Sequence, residues 1–119
     1  MPVLKREQIF SNLDAVQAEV QRYSNSSFLA VTKNKNSEII SAAIDWGARK
    51  FGENYIQEAI LKIDEIRKQY PEKNIEWYFI GVLQSNKVKK AVQYFDVIET
   101  VSRKKIFYKI VHYASLFDK

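Results

Sequence analysis

The chain has 119 residues, enough for one domain with a real core, and 46% hydrophobic with 28% charged residues is a composition that argues against disorder. It has no cysteine and a single histidine, His112, which excludes a disulfide framework and a metal site built on cysteine or clustered histidine. The net charge is +5 and uneven: residues 1–83 carry 11 basic and 11 acidic side chains, whereas residues 84–119 carry 8 and 3.

The first ten residues, from Met1 to Phe10, hold no apolar segment of the secretory kind. No run approaches the roughly 18 apolar residues that span a bilayer. A cytoplasmic protein with no membrane contact is the expectation.

Along the chain, Ile9, Leu13, Val16, Val20 and Tyr23 recur in steps of four and three and predict a helix. The polar stretch from Ser24 to Ser27 breaks it. The apolar run Phe28 to Thr32 predicts a buried strand. Lys33 to Ser37 is a polar loop in which Asn36 or Ser37 can cap the next helix. That helix carries Ile40, Ala43 and Ile44 and stops at Gly47. Lys50 to Gly52 is a short second strand. The helix after it presents Ile56, Ala59, Ile60, Ile63 and Ile66, with Glu58–Lys62 and Asp64–Lys68 as i,i+4 pairs on its wet side. Tyr70-Pro71 ends it.

A third strand runs from Ile75 to Ile80 and closes at Gly81. Val88, Ala91, Val92 and Phe95 form a helix face, and Val97 to Val101 is a fourth strand. Ser102 can cap a last helix with Ile106, Ile110, Val111 and Ala114 on one side. The fold class is therefore α/β, an N-terminal helix followed by four β/α units with parallel strands. Periodicity alone fits either a small open doubly wound sheet or half of a (β/α)₈ barrel.

Glycine-rich phosphate loops and the G-x-S-x-G elbow are absent, since the only glycines are Gly47, Gly52 and Gly81. Polar residues just beyond strand ends remain: Lys33, then Glu53 and Asn54, then Gln84, Ser85 and Asn86. In parallel α/β folds these positions converge on one face. A lysine ending an apolar strand ordinarily reaches to water. The chemical reading is a Schiff-base amine, with Lys35 as a second positive charge that favours its neutral, nucleophilic form.

Three segments carry a resemblance: Phe28 to Lys35 (FLAVTKNK), Phe51 to Glu58 (FGENYIQE) and Trp77 to Lys87 (WYFIGVLQSNK). They match in order the patterns A-V-[ST]-K-x-K, F-G-E-N-Y-x-Q-E and W-H-F-I-G-x-L-Q-[ST]-N-K. The chain thus resembles the N-terminal half of the pyridoxal-phosphate homeostasis proteins (YggS/PROSC type). The resemblance implies a barrel like that of alanine racemase, with pyridoxal 5'-phosphate as cofactor. It implies that Lys33 holds the cofactor as a Schiff base and that Asn54 lies beside it. It also implies a role in vitamin B6 homeostasis, not enzymatic turnover.

Glu53 reads as a structural carboxylate paired with a lysine of a neighbouring strand, Tyr55 as core, and Gln84 to Asn86 as caps of the following helix. Two positions depart from the family: Tyr78 stands where it has histidine, and Asn36 where it commonly has proline.

The family's length is about twice that of this chain, as a complete barrel requires. The expectation is a truncated member, residues 1–119 being a single partial barrel domain without its C-terminal half. Its exposed inner face invites self-association. Two alternatives stand beside this reading. One is a remnant of a racemase-like enzyme, which would need an opposing acid or base. The other is a basic nucleic-acid-binding module using Lys87, Lys89, Lys90, Arg103, Lys104, Lys105 and Lys109, which no recognised motif supports.

Overall fold

The computed structural model describes residues 6–23, 27–101 and 103–119. The element order is α1 (Arg6–Val20), β1 (Ala30–Val31), α2 (Ser37–Trp46), β2 (Lys50–Glu53), α3 (Ile56–Gln69), β3 (Glu76–Phe79), a 3₁₀ turn (Ser85–Lys87), α4 (Val88–Tyr94), β4 (Val97–Ile98) and α5 (Lys104–Leu116). The strands pair in parallel in the order β1-β2-β3-β4. Sequential order without a reversal excludes the doubly wound alternative, which needs a switch point. The fold is a partial α/β barrel.

Register sorts each strand into two faces. Ala30, Phe51 and Trp77 form one row, and Glu53, Phe79 and Ile98 another. Both rows face the helices, where Phe51, Trp77 and Phe79 pack with Ile40 and Ile44 of α2, Ile63 and Ile66 of α3, Val88 of α4 and Ile106 of α5. The rings of Phe51 and Trp77 lie 5.5 Å apart and those of Phe79 and Phe95 5.4 Å apart. The alternate row, Val31, Gly52, Tyr78 and Val97, lines the opposite, open face.

Helix ends follow local chemistry. Asn36 caps α2 by accepting from the Ile39 N–H at 3.0 Å. Gly47 ends it at φ +126°, a left-handed conformation that favours glycine. The helix α1 docks on α2 through Trp46, whose indole N–H donates to Asp14 at 2.8 Å, and through the ion pair of Arg6 with Asp45. That guanidinium holds the Asp45 carboxyl below the usual carboxylate range, aided by the Tyr70 hydroxyl and opposed by partial burial.

Several sequence expectations need correction. The first strand pairs only at Ala30–Val31, and Val31 is half exposed. It is the edge strand, with β2 as its single neighbour, and Val31 points to the open face. The fourth strand likewise shrinks to Val97–Ile98, leaving Val101 exposed. On α5 only Ile106 is buried, while Val111 is exposed. The breaker residues Ser24 to Ser26 and the proposed cap Ser102 lie outside the described residues. No helix among the described residues is long and apolar enough to cross a membrane.

Candidate functional site

All the polar residues singled out beyond strand ends lie at the carboxyl edge of the sheet, as parallel pairing requires. They do not form one cluster.

Lys33 follows β1 in an exposed turn closed by the Lys35 N–H donating to the Thr32 carbonyl at 3.0 Å. Among the described residues its side chain takes no hydrogen bond or ion pair. Its chain neighbours, in contrast, are fastened. The Thr32 N–H donates to the Gly52 carbonyl at 2.9 Å, and the Thr32 hydroxyl donates to the Glu53 carboxylate. The Asn34 N–H donates to Glu58 Oε1 at 2.7 Å, with Asn34 at φ +60°.

Asn54 follows β2. Its Oδ1 is buried and has no hydrogen-bond partner among the described residues. A buried acceptor without a donor is costly, so this atom is suited to a group brought by a ligand. The Asn54 backbone is pressed against Gly81 so closely that any Cβ at position 81 would strike it. Gly81 is held in turn by Thr100, whose hydroxyl donates to the Gly81 carbonyl. A cleft of about 460 Å³ opens here, lined among others by Asn54, Tyr55, Gln57, Val82, Gln84 and Lys87. Asn54 and Gln84 therefore share one cleft with the Lys87 amine, and Lys33 lies outside its lining.

The remaining candidates have other places. Glu53 is fully buried and faces the helices; it pairs with Lys62 of α3 at 3.1 Å, where a lysine from a strand was expected. Tyr55 is not core but half exposed at the cleft. Gln84 to Asn86 make no side-chain cap: α4 starts through a 3₁₀ turn, and the Ser85 hydroxyl accepts from Lys109 at 2.6 Å. Tyr78, in the histidine position of the motif, lies on the open face and donates to Glu76 at 3.1 Å. Burial pushes its phenol up, with further upward pushes from Glu76, Glu99 and Asp96.

The sequence reading placed Lys62 in a wet surface pair and so missed its role. Lys62 is buried and donates to the Thr32 carbonyl at 2.6 Å, to both Glu53 oxygens and to Glu58 at 2.8 Å. A signal was present. Positions 59, 62, 63 and 66 share one apolar stripe by helical spacing, and lysine occupies the second of them.

Comparison with known proteins joins these residues to a family. The sequence matches the family "Alanine racemase, N-terminal domain" over residues 4–116. The chain belongs to that family. It is 41% identical over 101 residues to the pyridoxal phosphate homeostasis protein of Vibrio cholerae, covering 84% of this chain and 43% of that one. To the Escherichia coli K12 protein of the same name it is 40% identical over 97 residues, covering 78% and 41%. Among solved structures, PipY of Synechococcus elongatus with PLP bound superposes at a TM-score of 0.86 with 32% identity, over 94% of this chain and 50% of PipY. The chain thus spans about two fifths of the length of these curated relatives and is similar to their N-terminal half. The alanine-racemase-like fold implied by the three motifs is observed in part, as four parallel β/α units of the barrel.

Proposed function

We propose that this chain binds pyridoxal 5'-phosphate as a Schiff base on Lys33, with Asn54 against the cofactor, and serves the homeostasis of that cofactor and not catalytic turnover. The observation that carries the reading is the buried Asn54 Oδ1 beyond β2, which has no hydrogen-bond partner among the described residues, and Lys33, exposed beyond β1, supplies the amine. Similarity to PipY, solved with PLP bound, supports it. The cofactor supplies an aldehyde. Its carbon bonds the Lys33 nitrogen, and the carbonyl oxygen leaves as water with the two amine protons. The protein's part is to present the Lys33 side chain at an exposed position and to offer Asn54 Oδ1 as an acceptor. On this reading residues 1–119 act as a single, partial cofactor-binding domain in the cytoplasm.

An absorbance titration with pyridoxal 5'-phosphate, run on the wild type and on Lys33→Ala, tests this. A saturable new band in the wild type that vanishes in the variant is the expected result. No band, or equal bands in both, overturns the reading.

Nucleic acid is not part of this proposal, because no recognised motif supports it and two of the seven basic residues concerned make contacts within the fold. Lys109 donates to Ser85, and Lys90 lies 6.0 Å from the Tyr94 ring centre. Salt-dependent retention of duplex or single-stranded DNA at low ionic strength would reverse that exclusion. Self-association through the open face is a separate proposal: sedimentation as a dimer supports it, and a monomer with a cooperative melt overturns it.

A further inference from the structure

We propose that Lys62 and Glu58 of α3 are positioning residues for Lys33, gripping the chain on both sides of it so that this amine is presented in preference to that of Lys35. The proposal rests on the reading that Lys33 takes the cofactor.

The geometry is a clamp with Lys33 at its centre. On one side, the Thr32 carbonyl accepts from the Lys62 ammonium at 2.6 Å, while the Thr32 hydroxyl and N–H bind Glu53 and the Gly52 carbonyl. On the other side, the Asn34 N–H is held by Glu58 Oε1 at 2.7 Å. The two sides are joined, because Lys62 also contacts Glu58 at 2.8 Å and Glu53 at 3.1 Å. Every anchor except Glu53 and Gly52 comes from a single helix of 14 residues, which can hold them in fixed relation. Asn34 sits in the left-handed region at φ +60°, a conformation that asparagine tolerates and that the Glu58 contact keeps in place. The Glu58 carboxyl lies below its ordinary range because Lys62 and the Asn34 N–H both favour the anion against partial burial, so it is a charged acceptor at neutral pH.

The chemistry of Lys62 argues for geometry as well as stability. Burying a cation and its carboxylates costs desolvation, and apolar side chains replacing Lys62 and Glu53 together would do as well for the core. What an apolar residue would not supply is a donor for the Thr32 carbonyl. Lys33 and Lys35 are both exposed and two residues apart, so either amine can meet an aldehyde from solution. Fixing the peptide units flanking Lys33 selects one of them by orientation.

The test uses the full chain and pyridoxal 5'-phosphate as the probe. After brief exposure, borohydride traps the attached cofactor, and peptide mapping gives the ratio of label on Lys33 to label on Lys35. In the wild type the label is expected on Lys33. Glu58→Ala, at a partly exposed position, is expected to shift the ratio toward Lys35 by about tenfold, and Glu58→Gln, which keeps an acceptor for the Asn34 N–H, to restore most of it. Lys62→Met is expected to act like Glu58→Ala if it folds; if it does not, Glu58→Ala decides alone. A purely structural role would lower the melting temperature and leave the ratio unchanged, and that result in folded Glu58→Ala overturns the proposal. A wild type that labels both lysines equally, or neither, defeats the Lys33 reading itself and the clamp with it. That outcome is distinguishable because it is seen before any variant is made.

Discussion

The same four strands show two different faces. Toward the helices, Phe51, Glu53, Trp77 and Phe79 are at most 1% exposed. Toward the open side, Val31 is 49% exposed, and Tyr78 and Val97 are only partly covered. Except at Gly52, which is buried between Phe51 and Glu53, adjacent residues of one strand therefore differ in how far they are covered. The sealed face carries the packing energy of the fold, and the buried Glu53–Lys62 pair that it admits is tied to the chain around Lys33. The open face carries little of the stability and leaves room for ligand or polypeptide. Stability and chemistry are divided between the two sides of a single sheet and meet at its carboxyl edge.

Substitutions sharpen this contrast. The largest effect is expected on the sealed side: Lys62→Met leaves Glu53 buried without its cation, which should cost about 3–5 kcal/mol in a urea denaturation series. Gly81→Ala comes next, because its Cβ would meet the Asn54 backbone and not a flexible side-chain tip. It should cost about 1–3 kcal/mol and weaken cofactor attachment in the same preparation, as Asn54 is pushed from its place.

Acid gives a smaller effect with a definite sign. Glu58 has a folded-state pKa below its ordinary 4.5. Its contribution is therefore present above that ordinary value and is lost as the pH falls toward the lowered one. Thermal melts of the wild type should show this loss below about pH 4.5, and Glu58→Gln should flatten it. An unchanged slope in the variant would mean that other carboxylates dominate the acid limb. Smallest of all, Val82→Ser, at a side chain 89% exposed, should change stability by no more than about 0.5 kcal/mol. A larger loss there would show that this exposed part of the cleft wall is structural.

Much of the fold was legible because helices and strands announce themselves by spacing. Ile56, Ala59, Ile63 and Ile66 are all buried where a helical period puts them, and the Asn36 cap and Gly47 stop stand where their chemistry predicts. Edge strands were harder. The run from Phe28 to Thr32 has the composition of a central strand, but with one neighbour it forms two residues of ladder. Composition reports the side chains, whereas pairing depends on a partner that the local sequence does not name. The candidate site was proposed where short motifs surround it, at Lys33 and Asn54. It was not legible at Lys62, because a lysine four residues after a glutamate satisfies the rule for a surface pair as well as it satisfies a buried one. Only its membership in the apolar stripe separated the two, and the partners that decided the matter, Thr32 and Glu53, lie on other elements.

Gly52 makes the middle of the sheet permeable to mechanical influence. It has no side chain, and Leu29 from the segment before β1 and Ile80 from the end of β3 both lean into the space above it. The segment before β1 and the end of β3 thus both reach over the strand between them. A side chain added at position 52 would press at once on the segment leading to Lys33 and on the β3 end beside the cleft, so the two flanks of the sheet answer to one position.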